Sequence, residues 1–140
     1  MKKKLFSILL ALTCLFTICS TVAVAFDNRA SLTLSSYNVV SKEGDNPGEI
    51  KIVYDVRANS SADSLGISSL TIYRSDGTKV TTITGTTSNG LLGTDSMVHR
   101  STYVYSGTSG ASYYASATVY AEIGENSDSR RVTTKIVTAP

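Results

Sequence analysis

The chain has 140 residues with 13 basic and 11 acidic side chains, a net charge of +2. That is room for one ordinary domain, and too small a surplus for the basic field that nucleic acid or an anionic membrane requires. A single histidine, two cysteines and no tryptophan leave little material for an imidazole or thiolate metal centre.

The first segment, MKKKLFSILLALTCLFTICSTVAVAFDN, sets Lys2, Lys3 and Lys4 before an uncharged apolar run from Leu5 to Val24 and closes that run on Ala23-Val24-Ala25. A basic start, an apolar middle and small residues before Phe26 form the pattern of a secretory signal peptide over residues 1–25. An uncleaved anchor is the alternative reading, because about 20 apolar residues also span a bilayer. Cleavage leaves residues 26–140 as a single domain with 10 basic and 11 acidic side chains, a net charge of −1. Cys14 and Cys19 leave with the leader, so the exported domain rests on an ordinary core without a disulfide. The closing KIVTAP carries no apolar tail or sorting motif, and the expected destination is the medium, with no membrane contact after cleavage.

In residues 26–140, 34 side chains are serine or threonine, and apolar residues alternate with them. SLTLSSYNVVS (31–41) suggests two short strands with a kink at Ser35-Ser36, and KEGDNPGE (42–49) is dense in turn formers. EIKIVYDVRA (49–58) is the clearest strand, with Ile50, Ile52, Tyr54, Val56 and Ala58 on one face and Val53 the exception on the other. GISSLTIYRSDGTKVTTIT (66–84) reads as a hairpin turning at Asp76-Gly77. GTTSNGLLGTDS (85–96) reads as a polar loop around Leu91-Leu92. MVHRSTYVYS (97–106) is a strand whose two faces are equally apolar, so either could point inward. GTSG (107–110) is a turn, SYYASATVYAEI (112–123) a strand, GENSDS (124–129) a turn, and RRVTTKIVTA (130–139) the last strand. No segment has helical periodicity. About seven short strands in this length predict an all-β, two-sheet antiparallel sandwich.

Within YSGTSGASYYASATVYAE (105–122), alternation places Tyr113, Ala115, Ala117, Val119 and Ala121 on an inward face, with Tyr114, Ser116, Thr118 and Tyr120 outward. A tyrosine opening a core strand just after a glycine turn fits a tyrosine corner at Tyr113, with the ring packed inward and the hydroxyl bonded to the loop backbone. The pattern resembles immunoglobulin-like and fibronectin type III sandwiches, without the cysteine pair or tryptophan of antibody domains. Tyr114 and Tyr120, with Tyr73 of the hairpin, are the candidate binding residues.

The arrangement of GISSLTIY (66–73), YSGTSGASYYASATVYA (105–121) and SDSRRVTTKIVTA (127–139) also resembles an uncharacterised family of small secreted proteins from Gram-positive bacteria. That resemblance implies secretion and a β-sandwich, and it carries over no catalytic residue.

Reactive constellations are sparse. His99 stands without a Gly-x-Ser-x-Gly elbow, and a serine or cysteine nucleophile needs a base beside it. Most aspartates fall in loops, where turn formation explains them, including Asp128 in the Asp128-Ser129-Arg130-Arg131 turn. Glu43, Asp45, Asn46 and Glu49 are the candidate oxygen ligands for calcium, although the EF-hand pattern is absent. The composition therefore favours a non-enzymatic, cofactor-free extracellular domain that binds a protein or a glycan. Alternatives are a carbohydrate-binding module built on the exposed tyrosines and a small secreted hydrolase using His99 or a carboxylate pair. The first strand carries few charges, so self-association through a sheet edge is expected as well.

Overall fold

The computed structural model describes residues 31–140; the leader assigned to residues 1–25 lies outside the described residues. Nine strands follow in order: β1 Leu34–Glu43, β2 Glu49–Ala62, β3 Ser64–Arg74, β4 Lys79–Thr84, β5 Leu92–Gly93, β6 Ser96–Ser106, β7 Ser112–Ile123, β8 Asn126–Thr133 and β9 Val137–Thr138. They form two antiparallel sheets, β1-β2-β6 and β4-β3-β7-β8, with β5 paired to β3 and β9 to β7. Since β5 and β9 are two residues each, seven longer strands carry the sandwich that the alternation predicts.

The core follows from period-2 burial. Ile50, Ile52, Tyr54, Val56 and Ala58 of β2 are buried from one sheet, and Tyr113, Ala115, Ala117, Val119 and Ala121 of β7 from the other. Leu65, Ile67, Leu70 and Ile72 of β3 complete the second layer. The alanines of β7 leave volume that the larger side chains of β2 and β3 fill, the interdigitation that lets two sheets pack at about 10 Å. Each fully buried isoleucine or leucine contributes about 1.5–3 kcal/mol. In β3, Ile67 and Leu70 are both buried although three residues apart, because the register against β7 shifts between Ile67 and Ser69. A bulge of this kind inserts one residue and restores the inward phase.

Several local expectations are corrected. Residues 31–41 do not make two strands: β1 is one strand whose register shifts between Leu34 and Ser36, so the kink is a bulge. The turn expected over 124–129 shrinks to Gly124-Glu125, with Ile123 paired to Asn126. Asp128-Ser129-Arg130-Arg131 is therefore strand rather than turn. The last strand breaks after Thr133, where the Thr134 amide bonds the Ala115 carbonyl at 2.9 Å before β9 pairs with β7. The loop around Leu91 is not wholly polar: Leu91 is fully buried and Leu92–Gly93 pairs with β3. Hydroxyl-rich edge strands and loops lack the apolar contrast on which alternation depends, and tertiary pairing decides them.

The crossing from β6 to β7 is fastened by Tyr113. Its ring is buried, the Thr108 amide donates to its hydroxyl at 2.9 Å, and Tyr105 meets it edge-on with centroids 5.5 Å apart. A Cβ on Gly107 would stand 2.5 Å from that hydroxyl, so the turn has room only for glycine. The chain end seals the same region: the Ala139 carbonyl accepts from Gly110, the Ala139 amide donates to Ala111, and the Pro140 carbonyl accepts from Gly48. On the β1 side, Thr134 bonds both Ser41 Oγ, at 2.6 Å, and the Ala115 amide, at 2.9 Å, linking the two sheets. Tyr113→Phe keeps the ring and leaves the Thr108 amide without its acceptor, which is expected to lower stability by about 1–3 kcal/mol. Urea denaturation of the variant beside the parent measures that shift.

Candidate functional site

The outer face of the four-stranded sheet holds the candidate tyrosines. Tyr73 on β3 is paired in register with Tyr114 on β7, and their rings stack with centroids 5.1 Å apart and planes 9° from parallel. Around them the register places Thr71 beside Thr82 and Ser116, Ser116 beside Thr133, and Ser69 beside Thr84 and Thr118. Thr71 and Thr82 share a hydroxyl–hydroxyl bond of 3.1 Å. The result is a flat, half-exposed field of hydroxyls around one aromatic pair, bordered by Lys79 and Arg131. Outward β-branched threonines and aromatic cross-strand pairs are what a twisted sheet face stabilises best.

Tyr120 does not join this pair. It lies six residues from Tyr114 along β7, about 20 Å at the usual strand rise. Its hydroxyl donates to Glu122 Oε2 at 2.9 Å, and burial followed by the Glu122 carboxylate raises its pKa. The sequence joined Tyr114 to Tyr120 because both share one strand face; the partner that matters for Tyr114 comes from the neighbouring strand. The signal that finds it is the register of β3 against β7, two strands far apart in sequence, which no local pattern gives.

His99 belongs to a different environment. It faces inward from β6 opposite Val56, which settles the two-faced ambiguity of residues 97–105. Its Nε2 lies 2.9 Å from the Gly90 carbonyl, and its ring sits beside Tyr54 with centroids 5.7 Å apart. Tyr54 donates its hydroxyl to the same carbonyl at 2.5 Å, and burial raises the pKa of that phenol. Among the described residues His99 has no hydrogen bond to a serine or a carboxylate. The two rings hold the 85–95 loop so that Leu91 plugs the sandwich and the Leu91 carbonyl accepts from Ile67 at 2.7 Å. Close approach requires glycine on both sides: a Cβ on Gly93 would stand 2.6 Å from His99 Nδ1, and one on Gly66, at φ +142°, would stand 2.2 Å from the Leu91 carbonyl.

The candidate calcium residues Glu43, Asp45, Asn46 and Glu49 do not converge. Asn46 donates from its side chain to Glu49 Oε2 at 2.9 Å, and Asp45 pairs with Lys51. These contacts cap the β1–β2 turn. Among the described residues, no three His, Cys, Asp or Glu side chains gather as metal ligands do.

On the outer face of β1-β2-β6 a shallow hollow is lined by Asn38, Val53, Asp55, Arg100 and Thr102. Arg100 Nε donates to Asp55 at 2.6 Å and Arg57 approaches at 3.2 Å, and these bonds, that of Arg57 foremost, hold the Asp55 pKa below the usual carboxylate range. The triad is open to water, where such pairs contribute little to stability.

No protein-family model and no curated protein sequence matches the chain. Among solved structures it is similar to the apo structure of Bacteroides uniformis beta-glucuronidase 3, with 16% identity and a TM-score of 0.37. The alignment covers 76% of this chain and 12% of that one.

Gly93→Ala is expected to destabilise the protein by about 1–3 kcal/mol through its clash with the imidazole. The cost should shrink in a His99→Ala background, because two residues in contact are not additive. Denaturation of the two single variants and the double variant closes that cycle.

Proposed function

We propose that the protein is a secreted, non-enzymatic binding domain whose recognition surface is the outer face of the four-stranded sheet. The stacked Tyr73–Tyr114 pair set in a field of hydroxyls carries this reading. Aromatic rings offer apolar faces to the C–H faces of sugars, and neighbouring hydroxyls exchange hydrogen bonds with sugar hydroxyls, so the ligand class is an extracellular glycan. Export is supported by the leader pattern of residues 1–25. The non-enzymatic reading is supported by the engagement of His99 Nε2 with a backbone carbonyl, which leaves that nitrogen poorly placed to activate a nucleophile.

An immunoglobulin-like sandwich suits this role. Its support is the strand order together with the tyrosine at the start of β7. Strands β1, β2 and β6 form one sheet and β3, β7 and β8 the other, joined by crossings between layers. In immunoglobulin constant domains the fourth strand stays in the first sheet; here β4 crosses to pair with β3, enlarging the proposed face.

The reading predicts that a glycan panel exposed to residues 26–140 identifies a carbohydrate ligand. Tyr73→Ala combined with Tyr114→Ala should weaken its binding at least about tenfold, the loss of aromatic contacts worth about 1.4 kcal/mol or more. Tyr120→Ala should change it less than about twofold. Binding that survives the double substitution contradicts the assigned surface.

A further inference from the structure

Among the described residues, the four sheet edges are unequally defended. At β8 the register places Asp128 opposite Ala121 and Arg130 opposite Val119, so an ion pair of 2.5 Å occupies the inward side of that strand. Inward charge is a known guard against strand addition. Strand β4 is short, begins at Lys79 and is irregular where it meets Tyr73. Strand β6 carries Arg100 at its middle. Strand β1 differs from all three. From Leu34 to Ser41 it has neither a charge nor a proline, and among the described residues its only neighbour within its sheet is β2. Ser35, Ser36, Tyr37 and Asn38 are exposed, and Tyr37, opposite the buried Val56, leaves 44% of its surface uncovered.

The geometry points to antiparallel pairing of β1 with β1 of a second copy of this chain, about a two-fold axis through Asn38. Such an axis keeps the inner faces of both copies on one side, so paired positions must share a face. Centred on Asn38, Tyr37 meets Val39 of the second copy on the inner face, and Ser36 meets Val40 on the outer face. This ladder runs from Ser36 to Val40 and stops at the bulge between Leu34 and Ser36, so Lys42 and Glu43 fall beyond it and no like charges oppose one another within it. The exposed ring of Tyr37 then gains an apolar partner, and the two three-stranded sheets join into one of six strands. A single strand edge buries less than the roughly 1,200 Å² of a standard interface. The association is therefore weak and dependent on concentration.

The test is sedimentation of residues 26–140, which contain the whole described fold, over about 10 µM to 1 mM, a span matching weak affinities. The weight-average mass should rise toward twice the monomer. Asn38→Lys and Asn38→Glu each set like charges face to face at the axis, and each should weaken self-association at least about tenfold. An equimolar mixture of the two should restore it, and circular dichroism should show both variants folded. A strict monomer throughout, or variants that associate as well as the parent, would overturn the inference. So would β1 edge amides equally protected from exchange in dilute and concentrated samples, which would mean that another segment of the same chain covers the edge.

Discussion

The bond from the Thr108 amide to the Tyr113 hydroxyl stands where the chain leaves one sheet and enters the other. A crossing loop lies outside the strand ladders, so its backbone groups need other partners: Ala139 serves Gly110 and Ala111, and the Tyr113 phenol serves Thr108. By anchoring one of them on a buried phenol, the fold fixes the residue at which β7 begins and therefore the phase of every side chain along it. With Tyr113 inward, Ala115, Ala117, Val119 and Ala121 fall in the core and Tyr114 falls outside, in register with Tyr73. A slip of one residue would exchange the two sets, burying hydroxyls and exposing alanines.

The same constraint explains which parts of the fold were legible in the sequence. β7, and β2 from Glu49 to Ala58, could be read residue by residue because their two faces differ sharply in polarity, whereas the polar Asn59-Ser60-Ser61 hid the extension of β2 to Ala62. β6 could not, because Val98, Val104, Tyr103 and Tyr105 put apolar groups on both faces; the pairing of His99 with Val56 decides the matter. β8 was half hidden for the opposite reason, since its inward positions include Asp128 and Arg130, a guard for an edge that reads locally as a turn. Leu91 was hidden in a stretch of turn formers, and its burial depends on a carbonyl gripped by two side chains from distant strands.

The candidate site shows the same limit. Tyr73, Tyr114 and Tyr120 were all identifiable as outward tyrosines, yet their grouping was not, because stacking across strands depends on register rather than on spacing within a strand. The acidic stretch from Glu43 to Glu49 was legible as a cluster of oxygen donors, but Asn46 and Lys51 draw its carboxylates into turn-stabilising contacts. In both cases local composition named the residues and the fold chose their partners. The single histidine, which invites a catalytic reading, is held by a backbone carbonyl and a phenol ring and closes one loop over the core.

If the corner sets the phase of β7, the Thr108 amide must be as durable as the strand it introduces. Native-state hydrogen exchange followed by NMR measures this directly. The account predicts that Thr108 exchanges at least about 1,000-fold more slowly than an unstructured peptide, opening together with the core amides of β7. Exchange within about tenfold of the unstructured rate, while β7 stays protected, would show that the crossing frays independently and would contradict the account.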